Sequence, residues 1–165
     1  MKTPAGILIV LVSLTFLAGC GESELPITGK IPPITLNNLN GKTVEIKKYD
    51  DGLVLLVFWA TWCKPCLMEI PVLKELNRDF SPRGLRIVSI LCDNPGMEKI
   101  VSLKNGYGID YEILMGSEKF SSRFGIQAFP SSLLIGKGGK LLDKMEGALP
   151  ADMFKSRIKA HLPGS

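Results

Sequence analysis

The apolar run Leu53-Val54-Leu55-Leu56-Val57-Phe58 passes through Trp59-Ala60-Thr61-Trp62-Cys63-Lys64-Pro65-Cys66 into Leu67-Met68-Glu69-Ile70-Pro71-Val72-Leu73. No other stretch constrains the chain as tightly. An apolar run without polar alternation reads as a strand covered on both faces. Leu67, Ile70, Leu73, Leu76 and Phe80 recur at three- and four-residue spacing, which predicts a helix from Lys64. Pro71 lies inside it and is expected to kink it, because its ring removes the bond to the Leu67 carbonyl. Two cysteines therefore open a helix where a buried strand ends. Two intervening residues let thiols on a first helical turn close a short-loop disulfide. The unpaired N–H groups and partial positive charge of a helix start favour a thiolate at Cys63, and Lys64 adds a cation next door. Thiols so placed have pKa values of roughly 3.5–7.5, against about 8.5 when free. The chemistry this equips is thiol–disulfide exchange, with Cys63 attacking and Cys66 resolving the mixed disulfide.

A zinc site would need two further Cys or His ligands at motif spacing. The remaining candidates are Cys20, Cys92 and the single histidine, His161, scattered along the chain. A purely structural disulfide seldom sits two residues apart at a strand-to-helix junction, where such pairs read as redox motifs.

The N-terminus reads as a targeting segment. Lys2 supplies a positive start, and residues 7–17 form an apolar run too short for a spanning helix, which needs about 20 residues. Leu17-Ala18-Gly19-Cys20 resembles the bacterial lipoprotein processing box. That resemblance implies a signal peptide over 1–19, cleavage before Cys20 and lipidation of its sulfur. Two or more acyl chains hold a protein on a membrane stably where one does not. Residues 20–30 then read as a lipidated cysteine and flexible tether, and 31–162 as one domain. Without its first 19 residues the 165-residue chain keeps 146, a comfortable size for a single core. The formal charge of +4 falls to +3 with the loss of Lys2, and no Lys/Arg run appears, so nucleic acid is not expected as a partner.

Ile34-Thr35-Leu36 and Thr43-Val44-Glu45-Ile46 alternate around Asn40-Gly41, which predicts a hairpin. Leu85–Leu91 is a second buried strand, making a right-handed strand–helix–strand unit with parallel strands. A helix is predicted over 97–105, a short strand over 111–114, and a helix capped by Ser117 that places Phe120 and Phe124 on one face. Residues 132–135 and 140–145 flank Gly136-Lys137-Gly138-Gly139 as an antiparallel hairpin. A last helix from about Ala151 aligns Phe154, Ile158 and Leu162.

These motifs together resemble the thioredoxin fold. Gly41-Lys42, Phe58-Trp59-Ala60-Thr61-Trp62-Cys63, Glu69-x-Pro71 and the inserted helix–strand near 97–116 are similar to its TlpA/ResA branch. The resemblance covers about residues 31–162. It implies an α/β fold with a mixed central sheet flanked by helices, an N-terminal β-hairpin and an inserted helix–strand. It also implies a membrane-tethered, extracytoplasmic thiol–disulfide oxidoreductase working without a cofactor. Its expected partners are protein disulfides such as apocytochrome c, a membrane electron donor, and a membrane held through the lipid anchor; a monomer is expected.

By the same resemblance Pro130 is a cis-proline facing the disulfide, and its loop offers backbone groups to an extended substrate peptide. Phe129 is bulkier than the residue often found there, and either lines the substrate groove or fills the core. Trp62 and Pro65 join the site, Trp62 flanking an exposed sulfur, whereas Trp59 reads as core. Thioredoxin carries a buried aspartate six residues before its first cysteine, where this chain has Val57. A proton acceptor for Cys66 must come from elsewhere: Asp93, on the same sheet edge, is one candidate. Glu69 matches the family pattern and reads equally as a solvated helix residue. Cys92 reads as a small buried hydrophobe sooner than a third redox thiol. His161 receives no chemistry.

The pair Lys64-Pro65 lacks the histidine that strongly oxidising relatives hold between their cysteines, so a reductant is expected. Two alternatives are a peroxiredoxin-like peroxidase, for which neither Cys63 nor Cys92 has the Thr/Pro-rich setting, and a copper-binding assembly chaperone. Copper chaperones of this fold space their cysteines by three residues and add a histidine ligand.

Overall fold

The computed structural model describes residues 29–46 and 52–162. The signal segment, Cys20 and most of the tether lie outside the described residues. Alternation of Ile34, Leu36, Val44 and Ile46 builds the first hairpin, β1 (Ile34–Asn38) and β2 (Thr43–Ile46). Its turn is closed by the Asn38 side chain, which accepts from the backbone N–H groups of Asn40 and Lys42 at 3.0 and 3.1 Å. Then follow β3 (Leu53–Trp59), α1 (Lys64–Phe80), β4 (Leu85–Leu91), α2 (Met97–Tyr107) and β5 (Glu112–Met115). The chain ends in α3 (Glu118–Ser122), β6 (Ser131–Ile135), β7 (Leu141–Glu146) and α4 (Ala151–Lys159).

The seven strands form one sheet in the order β2-β1-β5-β4-β3-β6-β7. β3, β4 and β5 are parallel, while β1, β2, β6 and β7 pair antiparallel, so the mixed sheet is the thioredoxin-like one the resemblance implies. Every residue of β3 is buried, as its unbroken apolar run requires. Because strand side chains alternate, β3 feeds two cores. Leu53, Leu55, Val57 and Trp59 pack with Ile70, Leu73 and Leu76 of α1 and with Phe154 and Ile158 of α4. Val54, Leu56 and Phe58 face Ile34, Ile46, Val88, Ile90 and Phe124 on the opposite side.

α1 spans Lys64–Phe80 as its apolar spacing predicts, and it continues through Pro71 with Ile70, Leu73 and Leu76 buried. Several other boundaries differ from expectation. α2 continues to Tyr107 and ends where Gly108 takes a left-handed conformation. β5 lies one residue later than the pattern indicated, with Tyr111 just before it. α3 is capped by the Ser117 hydroxyl, which accepts from Phe120 N–H at 3.1 Å, but it ends at Ser122. Phe124 reaches Phe120 from beyond the helix, with ring centres 5.1 Å apart.

Candidate active site

Parallel pairing of β3 with β4 aligns Trp59 with Leu91, so both strands release their chains at one sheet edge. The two exits are stitched together. Cys92 N–H donates to the Trp59 carbonyl at 2.8 Å, and Asp93 accepts from Thr61 N–H at 3.0 Å and the Thr61 hydroxyl at 2.6 Å. Asp93, one candidate proton acceptor, accepts from Thr61 through both oxygens and so ties down the loop ahead of the cysteines.

Cys63 and Cys66 form a disulfide with Cα atoms 5.3 Å apart. Cys63 is not inside the first turn: it is the N-cap of α1, in extended conformation, and its Sγ accepts the Cys66 N–H at 3.2 Å. A sulfur in that position does what a capping oxygen does, satisfying one of the orphan N–H groups of the helix start. Lys64 and Pro65 occupy the first helical positions, where a proline removes no helical bond. Cys63 is only 4% exposed in this oxidised form, so the sulfur expected to be open is tucked into the apolar cluster. The exposed neighbour is Trp62, at 65%, whose ring lies 6.0 Å from that of Phe129. Phe129 also packs against both cores, as the core-filling alternative has it. Phe129-Pro130 is a cis peptide, and the Pro130 carbonyl accepts from Gly147 N–H at 2.8 Å.

Glu69 is buried, at 3% exposure, not solvated. One carboxylate oxygen accepts from Leu149 N–H at 3.0 Å; the other has no partner among the described residues, and neither has the buried Trp59 Nε1. Val57, Trp59, Cys66, Glu69, Ser89 and Tyr111 enclose a cavity of about 10 Å³, room for at most one water. Burial pushes the Glu69 carboxyl up to about 7, against the opposing pull of the Leu149 bond. Tyr111 is raised as well, by burial first and the Glu69 charge second, and stays protonated. Val57 and Glu69 thus face the same space. The carboxylate at this cavity comes from the helix, one turn beyond Cys66.

Cys92 is buried, donates weakly to the Ile90 carbonyl at 3.4 Å, and is pushed up to about 12 by burial. It carries almost no thiolate near neutral pH. His161 is exposed just beyond α4. Among the described residues no three His, Cys, Asp or Glu side chains gather as a metal-binding group. Sequence reasoning did not anticipate the roles of Thr61, Tyr111 and Leu149. For Glu69 the sequence left a solvated helix residue open; its signal is its place on the buried stripe of Cys66, Ile70, Leu73 and Leu76, where a charge has to be functional or paired.

A disulfide capping a helix at the edge of a thioredoxin-like sheet, with a cis-proline ahead of the strand paired to β3 at that edge, defines a thiol–disulfide oxidoreductase. Known proteins agree. The chain is similar to the thiol-disulfide oxidoreductase ResA of Bacillus thuringiensis (strain Al Hakam), 28% identical over 143 residues covering 86% of this chain and 82% of the relative. A thioredoxin of Chlorobaculum thiosulfatiphilum is 31% identical over 112 residues, covering 68% of this chain and 82% of its own. In structure it resembles a putative thiol:disulfide interchange protein DsbE from Chlorobium tepidum, with TM-score 0.72, 24% identity, and coverage of 81% of this chain and 95% of the other. Residues 27–144 match the AhpC/TSA family, and the chain belongs to it.

Proposed function

We propose that this protein is an extracytoplasmic disulfide reductase, lipid-anchored through Cys20, that reduces disulfides in partner proteins. The observation that carries the reading is the Cys63–Cys66 pair set against the buried Glu69. In the reduced protein the Cys66 N–H and the helix start hold Cys63 as thiolate. Cys63 Sγ attacks one sulfur of the partner's disulfide, and the other partner sulfur leaves as thiolate. Glu69, half ionised near neutral pH, takes the Cys66 proton; Cys66 then attacks Cys63 Sγ and releases the partner as dithiol. Two electrons pass to the partner, and Cys63–Cys66 is left oxidised. A membrane electron donor returns it to the dithiol. Trp62 and Phe129 offer an apolar rim to the partner, and the Pro130 loop its backbone. Apocytochrome c, whose haem-binding cysteines must be reduced, fits this demand.

The test is a Cys66→Ser variant produced in the host. It attacks but cannot resolve, so it accumulates as a mixed disulfide whose partner is identified after isolation, while Cys63→Ser traps nothing. Trapping through Cys92, or by Cys63→Ser, contradicts the assignment. The second reading is the peroxiredoxin-like peroxidase. Direct, stoichiometric consumption of hydrogen peroxide by the reduced protein would support it; the buried, high-pKa Cys92 offers it no second reactive thiol.

A further inference from the structure

The end of the sheet opposite the dithiol is basic. Antiparallel pairing places Ile135 beside Val54, so the β6–β7 turn, with Lys137 and Lys140, lies at the start of β3, away from Trp59. Leu53 donates to the Gly84 carbonyl at 3.0 Å, which brings Arg83 and Arg86 to the same end. Lys30 pairs with Lys140 across an antiparallel bridge, secured by Ile31 N–H to the Gly139 carbonyl at 2.7 Å. All five cations are exposed. None has an acidic partner among the described residues; Arg83 lies over the Phe80 ring, 5.6 Å from its centre. The nearby Asp79 is ion-paired to Lys155 and Arg78. Residues 47–51 lie outside the described residues and in sequence are two lysines, a tyrosine and two aspartates, with no net charge. The cations are dispersed in sequence and are gathered only by the fold.

This is also where the chain leaves towards Cys20. Gly29 lies nine residues beyond it, a length that reaches at most about 30 Å. Lys30, Lys140, Leu141 and Leu142 line an open groove of about 640 Å³ together with Asp143, whose charge is paired to Arg157. Cations above apolar side chains suit the boundary between headgroups and acyl chains.

We infer that this end seats on the anionic phospholipid surface of the membrane that holds the anchor. The inference rests on the Cys20 anchor proposed above and adds an orientation to it. β3 spans about 20 Å from Leu53 to Trp59, so the dithiol stands that far off the headgroups, facing outwards. A partner must then meet it with an extramembrane domain of its own.

The mature chain from residue 20 with Cys20→Ser contains every described strand and helix and separates surface binding from acylation. It sediments with vesicles of phosphatidylcholine and phosphatidylglycerol but not phosphatidylcholine alone, and added salt releases it. Each of Lys30→Gln, Lys137→Gln and Lys140→Gln lowers partition about five-fold, and the three together about a hundred-fold. Lys99→Gln, on the catalytic side, leaves it unchanged, and retained disulfide exchange verifies that each variant is folded. Equal binding to neutral vesicles, or undiminished binding by the triple variant, overturns the inference. Displacement by inorganic phosphate far beyond chloride of equal ionic strength does so too, marking a discrete phosphate site. The anchor is read separately, from labelled fatty acid in the full chain and its loss on Cys20→Ala. Loss of the anchor with retained anionic-lipid binding removes only the tether from the account.

Discussion

Glu69 shows how one side chain couples the chemistry of the site to its stability. Its carboxyl, ordinarily at 4.5, sits at about 7 in the folded protein, because burial disfavours the charge. The folded state therefore binds more protons than the unfolded state between those values. The stability tied to this group is fully present below about pH 4.5 and is lost as pH rises through about 7. A difference of that size corresponds to about 3 kcal/mol. Glu69→Gln removes the penalty, so urea unfolding of the oxidised variant is expected to show a gain over wild type at pH 8 and little difference at pH 4.5. The same substitution slows resolution of the mixed disulfide and abolishes the inflection near pH 7 in its rate. A wild-type inflection that survives in Glu69→Gln assigns the proton to another group. The three thiols separate by environment. Alkylation of the reduced protein near neutral pH labels Cys63 first and Cys92 last, and preferential labelling of Cys66 or Cys92 reverses the roles. The lesson for reading the sequence lies at this scale. Cys63, Cys66 and Trp59 declared themselves by type and spacing. Glu69 did not, because a glutamate on a helix reads as solvated until its place on the apolar stripe is weighed. Asp93 sat on the correct edge, but its pairing with Thr61 shows only in three dimensions.

At the scale of elements, the catalytic edge depends on two strand exits being held together. The Thr61–Asp93 clamp crosses from the β3 exit to the β4 exit, and no local pattern announces a bond between residues 32 apart. Thr61→Val keeps the shape and removes the hydroxyl donor. Hydrogen bonds to charged groups are worth about 1.5–3 kcal/mol, so a loss of that order is expected in urea unfolding, with slower exchange kinetics as the loop before Cys63 loosens. A loss below a few tenths of a kcal/mol rules out the clamp as a support of the site. The strands and helices were legible where one periodicity runs unbroken, as in β3, β4, α1 and α4. They blurred where termini are set by caps and packing. α2 outlasts its apolar pattern until Gly108 turns the chain, and Phe124 joins Phe120 from a turn that periodicity read as helix.

For the whole molecule, the sheet separates two jobs. One edge carries the Cys63–Cys66 pair with the Trp62 and Phe129 rings; the opposite end carries the exposed cations, which the proposal above turns towards the membrane. The apolar surroundings of the disulfide, with Val57 and Trp59 in the cavity wall, disfavour a buried thiolate. The Cys66 N–H and Lys64 favour one, without a histidine between the cysteines to strengthen the effect. On the proposed reading the balance is a moderately stabilised thiolate and a comparatively stable disulfide, so that the reduced protein gives electrons to its partner. Equilibration of the Cys63–Cys66 pair against glutathione or dithiothreitol buffers measures this directly. The account predicts a reduction potential near thioredoxin's, roughly −270 mV. A value near the roughly −120 mV of a strong oxidant would contradict it and make the protein a donor of disulfides.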